Sequence, residues 1–154
     1  MLLPANNYYF GKFVILPIKE AGRPKMYQLT IKAHFDAAHH LRDYQGKCAQ
    51  IHGHSWQVEV MVAGEELDKT GMLIDFGIIK KHVNDIIGVL DHRYLNELDA
   101  FNLEGVNPTA ENIARYIYEH IFQLLKDHQP AIVIEGVRVW ESPNASATYR
   151  RCQG

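Results

Sequence analysis

Apolar and polar side chains alternate along residues 27–39, which is the period of a β-strand with one buried face. The apolar set takes every second position and ends on a histidine: Tyr27, Leu29, Ile31, Ala33, Phe35, Ala37 and His39. His34 falls in the polar phase, so we expect it at the surface. A second alternating run covers residues 51–63, where His52 and His54 share the phase of the apolar positions. Residues 131–141 alternate again, and residues 148–150 predict a last short strand.

Two stretches between the second and third strands follow the helical period instead. Residues 76–90 place their apolar side chains on one helical face, and Asp75 precedes them as an N-cap. The second helix is predicted to start at Pro108 and Thr109, because proline disfavours an earlier start and threonine can cap. Its buried stripe is Ile113, Ile117, Ile121 and Leu124. The order strand, strand, helix, helix, strand, strand predicts an α+β fold whose helices cover one face of an antiparallel sheet.

Length and charge narrow the class of protein. A chain of 154 residues suits one domain, so we interpret residues 1–26 as an N-terminal appendage and residues 27–154 as a single domain. The net charge of −2 and the lack of a basic run argue against a nucleic-acid partner, and no apolar run is long enough to span a membrane. Two cysteines are too few for a disulfide framework, which favours a reducing, cytoplasmic location.

Three histidines fall in the inward phase at the ends of two strands. Side chains two apart on a strand project to the same face, so His52 and His54 point inward together, and His39 does so on the first strand. Three neutral imidazoles in a sheltered pocket are good zinc ligands and leave a fourth position free, as in a catalytic site. The alternative is a set of hydrogen-bonded core or loop histidines. Because the third histidine is in phase with the other two, we favour the metal site.

Cys48, Asp91 and His92 are candidates for proton transfer. Cys48 lies four residues before His52, and a cation beside it would favour the thiolate, which can take a proton. The alternative is a small buried side chain, the commoner fate of a lone cysteine. Asp91 and His92 directly follow the first helix and can act as a proton relay, or they can simply pair with the helix end.

Glu141 ends the third long strand in the buried phase. An unpaired buried carboxylate costs several kcal/mol, so this side chain needs a partner. Two parallel N–H donors on a ligand would suit it, because a carboxylate accepts two hydrogen bonds side by side. A salt bridge to a nearby arginine is an equal alternative, and the candidates are Arg138, Arg150 and Arg151.

Six segments resemble, in order and spacing, the 6-pyruvoyltetrahydropterin and 6-carboxytetrahydropterin synthase family. They are FDAAHHL (35–41), CAQIHGHSW (48–56), GMLIDF (71–76), LDHRYLN (90–96), PTAEN (108–112) and the strand-ending Glu141. The resemblance implies the tunnelling fold, a four-stranded antiparallel sheet with two helices on one face, assembled as trimers or hexamers.

The resemblance also implies roles for the candidate residues. His39, His52 and His54 resemble the family's Zn²⁺ ligands, Cys48 its base, and Asp91 and His92 its proton relay. Glu141 resembles its pterin anchor, since a pterin ring presents a two-donor edge.

The spacing Cys-x-x-x-His-Gly-His is similar to that of the bacterial carboxy branch. The implied reaction converts the small-molecule substrate 7,8-dihydroneopterin triphosphate to 6-carboxy-5,6,7,8-tetrahydropterin, acetaldehyde and triphosphate, for queuosine and deazapurine synthesis. The nearest alternative is 6-pyruvoyltetrahydropterin synthase activity on the same substrate. A generic three-histidine zinc hydrolase would need neither Cys48 nor Glu141, and a pterin- or zinc-binding module without catalysis is a further alternative.

Overall fold

The main sheet of the protein has five strands in the order β5-β3-β4-β6-β7. We analysed a computed structural model, which describes residues 8–10, 13–15, 26–103, 105–128 and 131–152. The long strands are β3 (Tyr27–His39), β4 (His52–Gly64) and β6 (Val133–Ser142), and β7 (Ala145–Tyr149) forms one edge. These four pair antiparallel in sequence order. Two three-residue strands, β1 (Tyr8–Phe10) and β2 (Phe13–Ile15), pair antiparallel in a separate sheet, and residues 1–7, 11–12 and 16–25 of the predicted appendage lie outside the described residues.

Both helices pack on the same face of the sheet. Helix α1 (Phe76–Leu90) contacts β3, whereas α2 (Ala110–His128) contacts β6 and β7, and the helices touch each other. The inward positions of the strands form one apolar core with them, in which Trp56, Val60 and Val137 have no exposed surface. Burial of these apolar faces is the main stabilising term for such a layered fold.

The predicted pattern of burial is confirmed at most positions that locate the strands and helices, but Leu125 rather than Leu124 is fully buried in α2. His34 is exposed on β3, as its polar phase predicted. Asp75 caps α1, because its carboxylate accepts from the Gly77 backbone N–H at 2.6 Å. Thr109 caps α2 in the same way through Asn112 N–H, at 3.3 Å. Among the described residues, no helix combines the length and apolar character that crossing a bilayer requires.

The sheet differs in one respect from the four-stranded sheet that we expected. Directly after α1, β5 (Arg93–Tyr94) pairs in parallel with Ala37 and Ala38 at the end of β3. Two residues are too few to show an alternating pattern, so the sequence does not reveal this strand. Its effect is to bring the segment that follows α1 against the histidine-bearing end of β3.

Candidate metal centre and active site

The three histidines meet because β3 and β4 are antiparallel. The end of β3 lies against the start of β4, with His39 directly opposite His52 and Ala37 opposite His54. The imidazole ring centroids lie 4.5 Å apart for His39 and His52, 5.2 Å for His39 and His54, and 4.9 Å for His52 and His54. The ligand atoms of the three rings therefore surround one point.

The indole of Trp56 packs against this cluster from the side of the apolar core. Its ring lies edge-on to His39 and His54, with centroids 5.1 and 5.2 Å away, and it has no exposed surface. His39 is only 1% exposed, while His52 and His54 are half-buried. The cluster thus forms the end of the apolar core, where it is shielded from water on one side and open on the other.

Backbone carbonyls fix the tautomers of two of these rings. Nδ1 of His39 donates to the Pro108 carbonyl at 2.7 Å, and Nδ1 of His52 donates to the Gln50 carbonyl at 2.8 Å. With the proton on Nδ1, each Nε2 presents a lone pair. The two Nε2 atoms nevertheless lie only 3.0 Å apart. Two facing lone pairs repel each other, and a shared cation would remove that repulsion.

The third ring leaves a buried nitrogen unpaired. Nε2 of His54 has no hydrogen-bond partner among the described residues, and Oε1 of Glu141 lies 3.5 Å away. Burial lowers the pKa of His54, and the nearby Glu141 charge only partly opposes this. Burial likewise lowers the pKa of His39. Both rings therefore favour the neutral form that a metal ion requires of a histidine.

This donor set fits a metal ion. His39, His52, His54 and Glu141 each offer a ligand atom, and these atoms all lie within 4.8 Å of one another. Zinc–nitrogen bonds of about 2.0–2.1 Å in a tetrahedron place neighbouring nitrogens about 3.3 Å apart, close to the separation of the His39 and His52 Nε2 atoms. The Nδ1–H bonds to carbonyls supply the outer support that metal-binding imidazoles commonly have.

Glu141 reaches the cluster through a β-bulge. The pairing of β6 with β7 shifts register between Trp140 and Ser142, which leaves Glu141 as the extra residue. Bulges commonly redirect a side chain beside an active site. Two of the arginines considered as salt-bridge partners of Glu141 are engaged elsewhere, since Arg138 contacts Glu59 and Arg151 contacts Glu119.

Asp91 and His92 form a second group at the end of α1. Oδ2 of Asp91 lies 2.9 Å from Nδ1 of His92, and Oδ1 accepts from the Asp36 backbone N–H at 3.0 Å. The Asp36 bond, followed by His92, lowers the pKa of Asp91, whereas the bond to Asp91 raises the pKa of His92. His92 has a left-handed φ of 54° and donates its backbone N–H to the Asp36 carbonyl at 2.7 Å. Such strained conformations are found preferentially at functional sites.

An open cavity of about 550 Å³ is lined by one residue from each group, His54 and His92. Ser55 and Tyr94 also line it. Among the described residues that line this cavity, Arg93 is the only lysine or arginine. A small molecule in this cavity would lie beside His54 and His92.

Cys48 is not part of either group. It is half-buried on a short 3₁₀ helix, Lys47–Ala49, and its carbonyl accepts from the Leu41 backbone N–H at 2.8 Å. Its loop is therefore tied to the residues that follow His39. The catalytic role of Cys48 remains a prediction.

Several residues that support the site have no local motif. Asp36 holds Asp91 through its backbone N–H, and the buried Asn96 and the half-buried Asn107 bond the chain just after His39. Basic side chains near the histidines in sequence have other partners: Lys32 pairs with Glu59 at 3.1 Å, and Arg42 donates to two backbone carbonyls. Arg93 lines the cavity, and its position next to Asp91 and His92 in the sequence is the signal that could have identified it.

Replacing Asp91 with asparagine should lower the pKa of His92 toward the ordinary histidine value. The carboxylate stabilises the imidazolium, so its loss favours the neutral ring, and His92 should lose its proton at lower pH than in the wild type. An NMR titration of the imidazole signals measures this shift, with the exposed His34 as internal control. An unchanged His92 midpoint would show that the pair does not interact in solution.

Comparison with known proteins places this architecture in a family. A family model described as 6-pyruvoyl tetrahydropterin synthase matches residues 28–152. The chain belongs to the 6-pyruvoyl tetrahydropterin synthase family. The 6-carboxy-5,6,7,8-tetrahydropterin synthase of Bacillus subtilis is 34% identical over 140 residues, covering 88% of this chain and 92% of the relative. The 6-carboxy-5,6,7,8-tetrahydropterin synthase of Synechocystis is 43% identical over 120 residues, covering 75% of this chain and 86% of the relative.

A solved structure agrees with the family assignment. The 6-pyruvoyl tetrahydropterin synthase of Caenorhabditis elegans superposes with a TM-score of 0.74 at 26% identity, covering 86% of this chain and 100% of the neighbour. The family and fold inferred from six short segments are thus confirmed. All the histidines, carboxylates and the cysteine discussed above lie within the matched residues.

Proposed function

We propose that this protein is a zinc-dependent 6-carboxy-5,6,7,8-tetrahydropterin synthase that converts 7,8-dihydroneopterin triphosphate and water to the carboxy product, acetaldehyde and triphosphate. The observation that carries the proposal is the convergence of three imidazoles and a carboxylate on one point, where the buried Nε2 of His54 has no hydrogen-bond partner in the described part of the chain. The names of the curated relatives support the carboxy product. Pyruvoyl-pterin formation is the second candidate, favoured by the name of the C. elegans neighbour.

Zinc is the metal that suits these ligands best. Imidazole nitrogens select zinc, copper, iron or nickel over magnesium and calcium, and zinc is the usual choice for a three-histidine site that performs no redox chemistry. When bound, the ion supplies a Lewis acid that polarises a substrate oxygen. His39 and His52 keep their lone pairs aimed inward through their carbonyl partners, and Trp56 excludes water from beneath.

His92 and Asp91 handle a proton at the end of α1. The raised pKa of His92, caused by Asp91, keeps the imidazole protonated to higher pH, so that it can act as a general acid near neutrality. Its exposed position lets it exchange protons with solvent. Cys48 acts as the general base in this proposal, and Arg93 contributes positive charge for the triphosphate.

Glu141 anchors the pterin ring by accepting two parallel hydrogen bonds. Its position 3.5 Å from His54 also allows it to be a metal ligand, and one substitution separates the two roles. Glu141→Gln removes the charge while keeping the shape. Charge-assisted hydrogen bonds are worth about 1.5–3 kcal/mol, so KM should rise about 10- to 100-fold while zinc content stays the same.

Steady-state kinetics and metal analysis of the same Glu141→Gln preparation make this test. Loss of zinc with the substitution would contradict the anchor role and assign the carboxylate to the metal.

Product analysis tests the proposed reaction. Zinc-loaded protein incubated with dihydroneopterin triphosphate should release acetaldehyde and triphosphate in equal amounts with the 6-carboxy product. Pyruvoyl-pterin without acetaldehyde would instead establish the second candidate, and the absence of any pterin product would refute both. We also propose that the chain assembles as a trimer or hexamer, which sedimentation measurements can test.

A further inference from the structure

The chain that leaves β3 directly after His39 is held by two asparagine side chains. Oδ1 of Asn96 accepts from the His40 backbone N–H at 2.9 Å, and its Nδ2 donates to the His40 carbonyl at 2.9 Å. Asn107 bonds Arg42 in the same way. Its Oδ1 accepts from the Arg42 backbone N–H at 2.8 Å, and its Nδ2 donates to the Arg42 carbonyl at 3.0 Å. Each side chain thus satisfies both polar groups of one backbone residue, as a neighbouring strand would.

The Arg42 side chain links the two asparagines. Its guanidinium donates to the Asn96 carbonyl at 3.1 Å and to the Val106 carbonyl, next to Asn107, at 3.0 Å. Asn96 is only 6% exposed, although its side chain ends in a polar amide. Buried amides are kept where they are hydrogen-bonded, and both asparagines bond through the oxygen and the nitrogen of the side chain.

The same network contains the acceptor that orients His39. Asn107 precedes Pro108, whose carbonyl accepts the hydrogen bond from Nδ1 of His39. Asn107 is itself fixed, because its carbonyl accepts from Asn112 Nδ2 at 2.8 Å. Asn107 therefore joins the strand that carries His39 to the carbonyl that fixes the ring's tautomer.

We propose that Asn96 and Asn107 are positioning residues for the metal centre: by clamping residues 40 and 42 against the Asn107–Pro108 turn, they hold the His39 imidazole in ligand geometry. This inference rests on the proposed function, because it requires the three-histidine site to bind an ion. Neither asparagine touches the ion or the substrate. Their contribution is to lower the freedom of one ligand before the ion arrives.

Zinc affinity of the whole protein tests the proposal independently of activity. Loss of outer-shell support typically weakens metal binding about 10- to 100-fold, so Asn107→Ala should raise the zinc dissociation constant by that factor. Asn107→Asp keeps the acceptor for the Arg42 N–H and loses the donor, and should give a smaller increase. This second variant carries the test if Asn107→Ala does not fold.

A destabilised variant outside the site is the matched control. Ile121→Val trims a fully buried side chain in α2 and costs about 0.5–1.5 kcal/mol of stability without touching the network. Competition with a chromophoric chelator gives the dissociation constants, and the visible absorption of the cobalt-substituted protein reports the ligand geometry. The asparagine variants should change both, while Ile121→Val should lower only the melting temperature.

The possible outcomes separate this inference from the function on which it rests. Wild-type zinc affinity and an unaltered cobalt spectrum in both Asn107 variants would overturn the positioning role and leave the metal site standing. Equal weakening in Ile121→Val would also overturn it, since general destabilisation would then explain the effect. A wild-type protein that binds no zinc would refute the proposed metal site and this inference together.

Discussion

His54→Ala should abolish stoichiometric zinc binding and lower kcat/KM by about 10³-fold, because two imidazoles do not replace three and several kcal/mol of transition-state stabilisation are lost with the ion. The same change should leave the metal-free protein as stable as the wild type or more so. It removes a buried nitrogen for which the described residues supply no hydrogen-bond partner, and such a group is costly to a fold. A residue kept at the expense of stability is characteristic of a functional site.

His34→Ala is the matched control for this prediction. His34 lies on the same strand as His39 but on the exposed face. Metal analysis, thermal denaturation of the metal-free protein and kinetics on both variants complete the comparison. Full zinc content and full turnover in His54→Ala would contradict the three-histidine site.

Cys48→Ala should lower kcat by about 10²- to 10⁴-fold, the range expected when a general base is removed, without loss of zinc. The thiol belongs to neither of the groups that can hold a metal, so the histidine cluster should be unaffected. Cys152→Ala, which removes the exposed second cysteine, should behave as the wild type. The two variants should be compared with zinc content and product formation measured on the same samples.

The cysteine pair also distinguishes between classes of enzyme. A three-histidine zinc hydrolase needs no thiol, so full turnover by Cys48→Ala would favour that class and remove the proposed base. Loss of zinc from Cys48→Ala would instead make the thiol a metal ligand. Either result would require a different mechanism at the same site.

Regular patterns in the sequence were sufficient to predict most of the fold. The strand that ends on His39 and the helix over residues 76–90 follow directly from periods of two and 3.6 residues, and the observed bounds agree. The phase of His52 and His54 predicted that they share a face, and the antiparallel pairing of β3 and β4 brings them to His39. Local sequence patterns therefore identified those site residues that lie on long strands.

The features that local patterns missed depend on contacts between distant segments. Asn96 and Asn107 lie 56 and 65 positions from the backbone groups that they bond, so no spacing rule identifies them. The two-residue strand β5 and the bulge at Glu141 are set by their pairing partners rather than by their own composition. Arg42 lies close to His39 in the sequence, and the engagement of its guanidinium by the carbonyls of distant residues is not visible in any local pattern.

The central claim is that the imidazoles of His39, His52 and His54 share one metal ion, and X-ray absorption at the zinc edge tests it most directly. Purified protein with one zinc per chain should show three nitrogen ligands at about 2.0–2.1 Å and one further light-atom ligand. A sulfur ligand at about 2.3 Å, or a protein that retains no zinc after dialysis, would contradict the account.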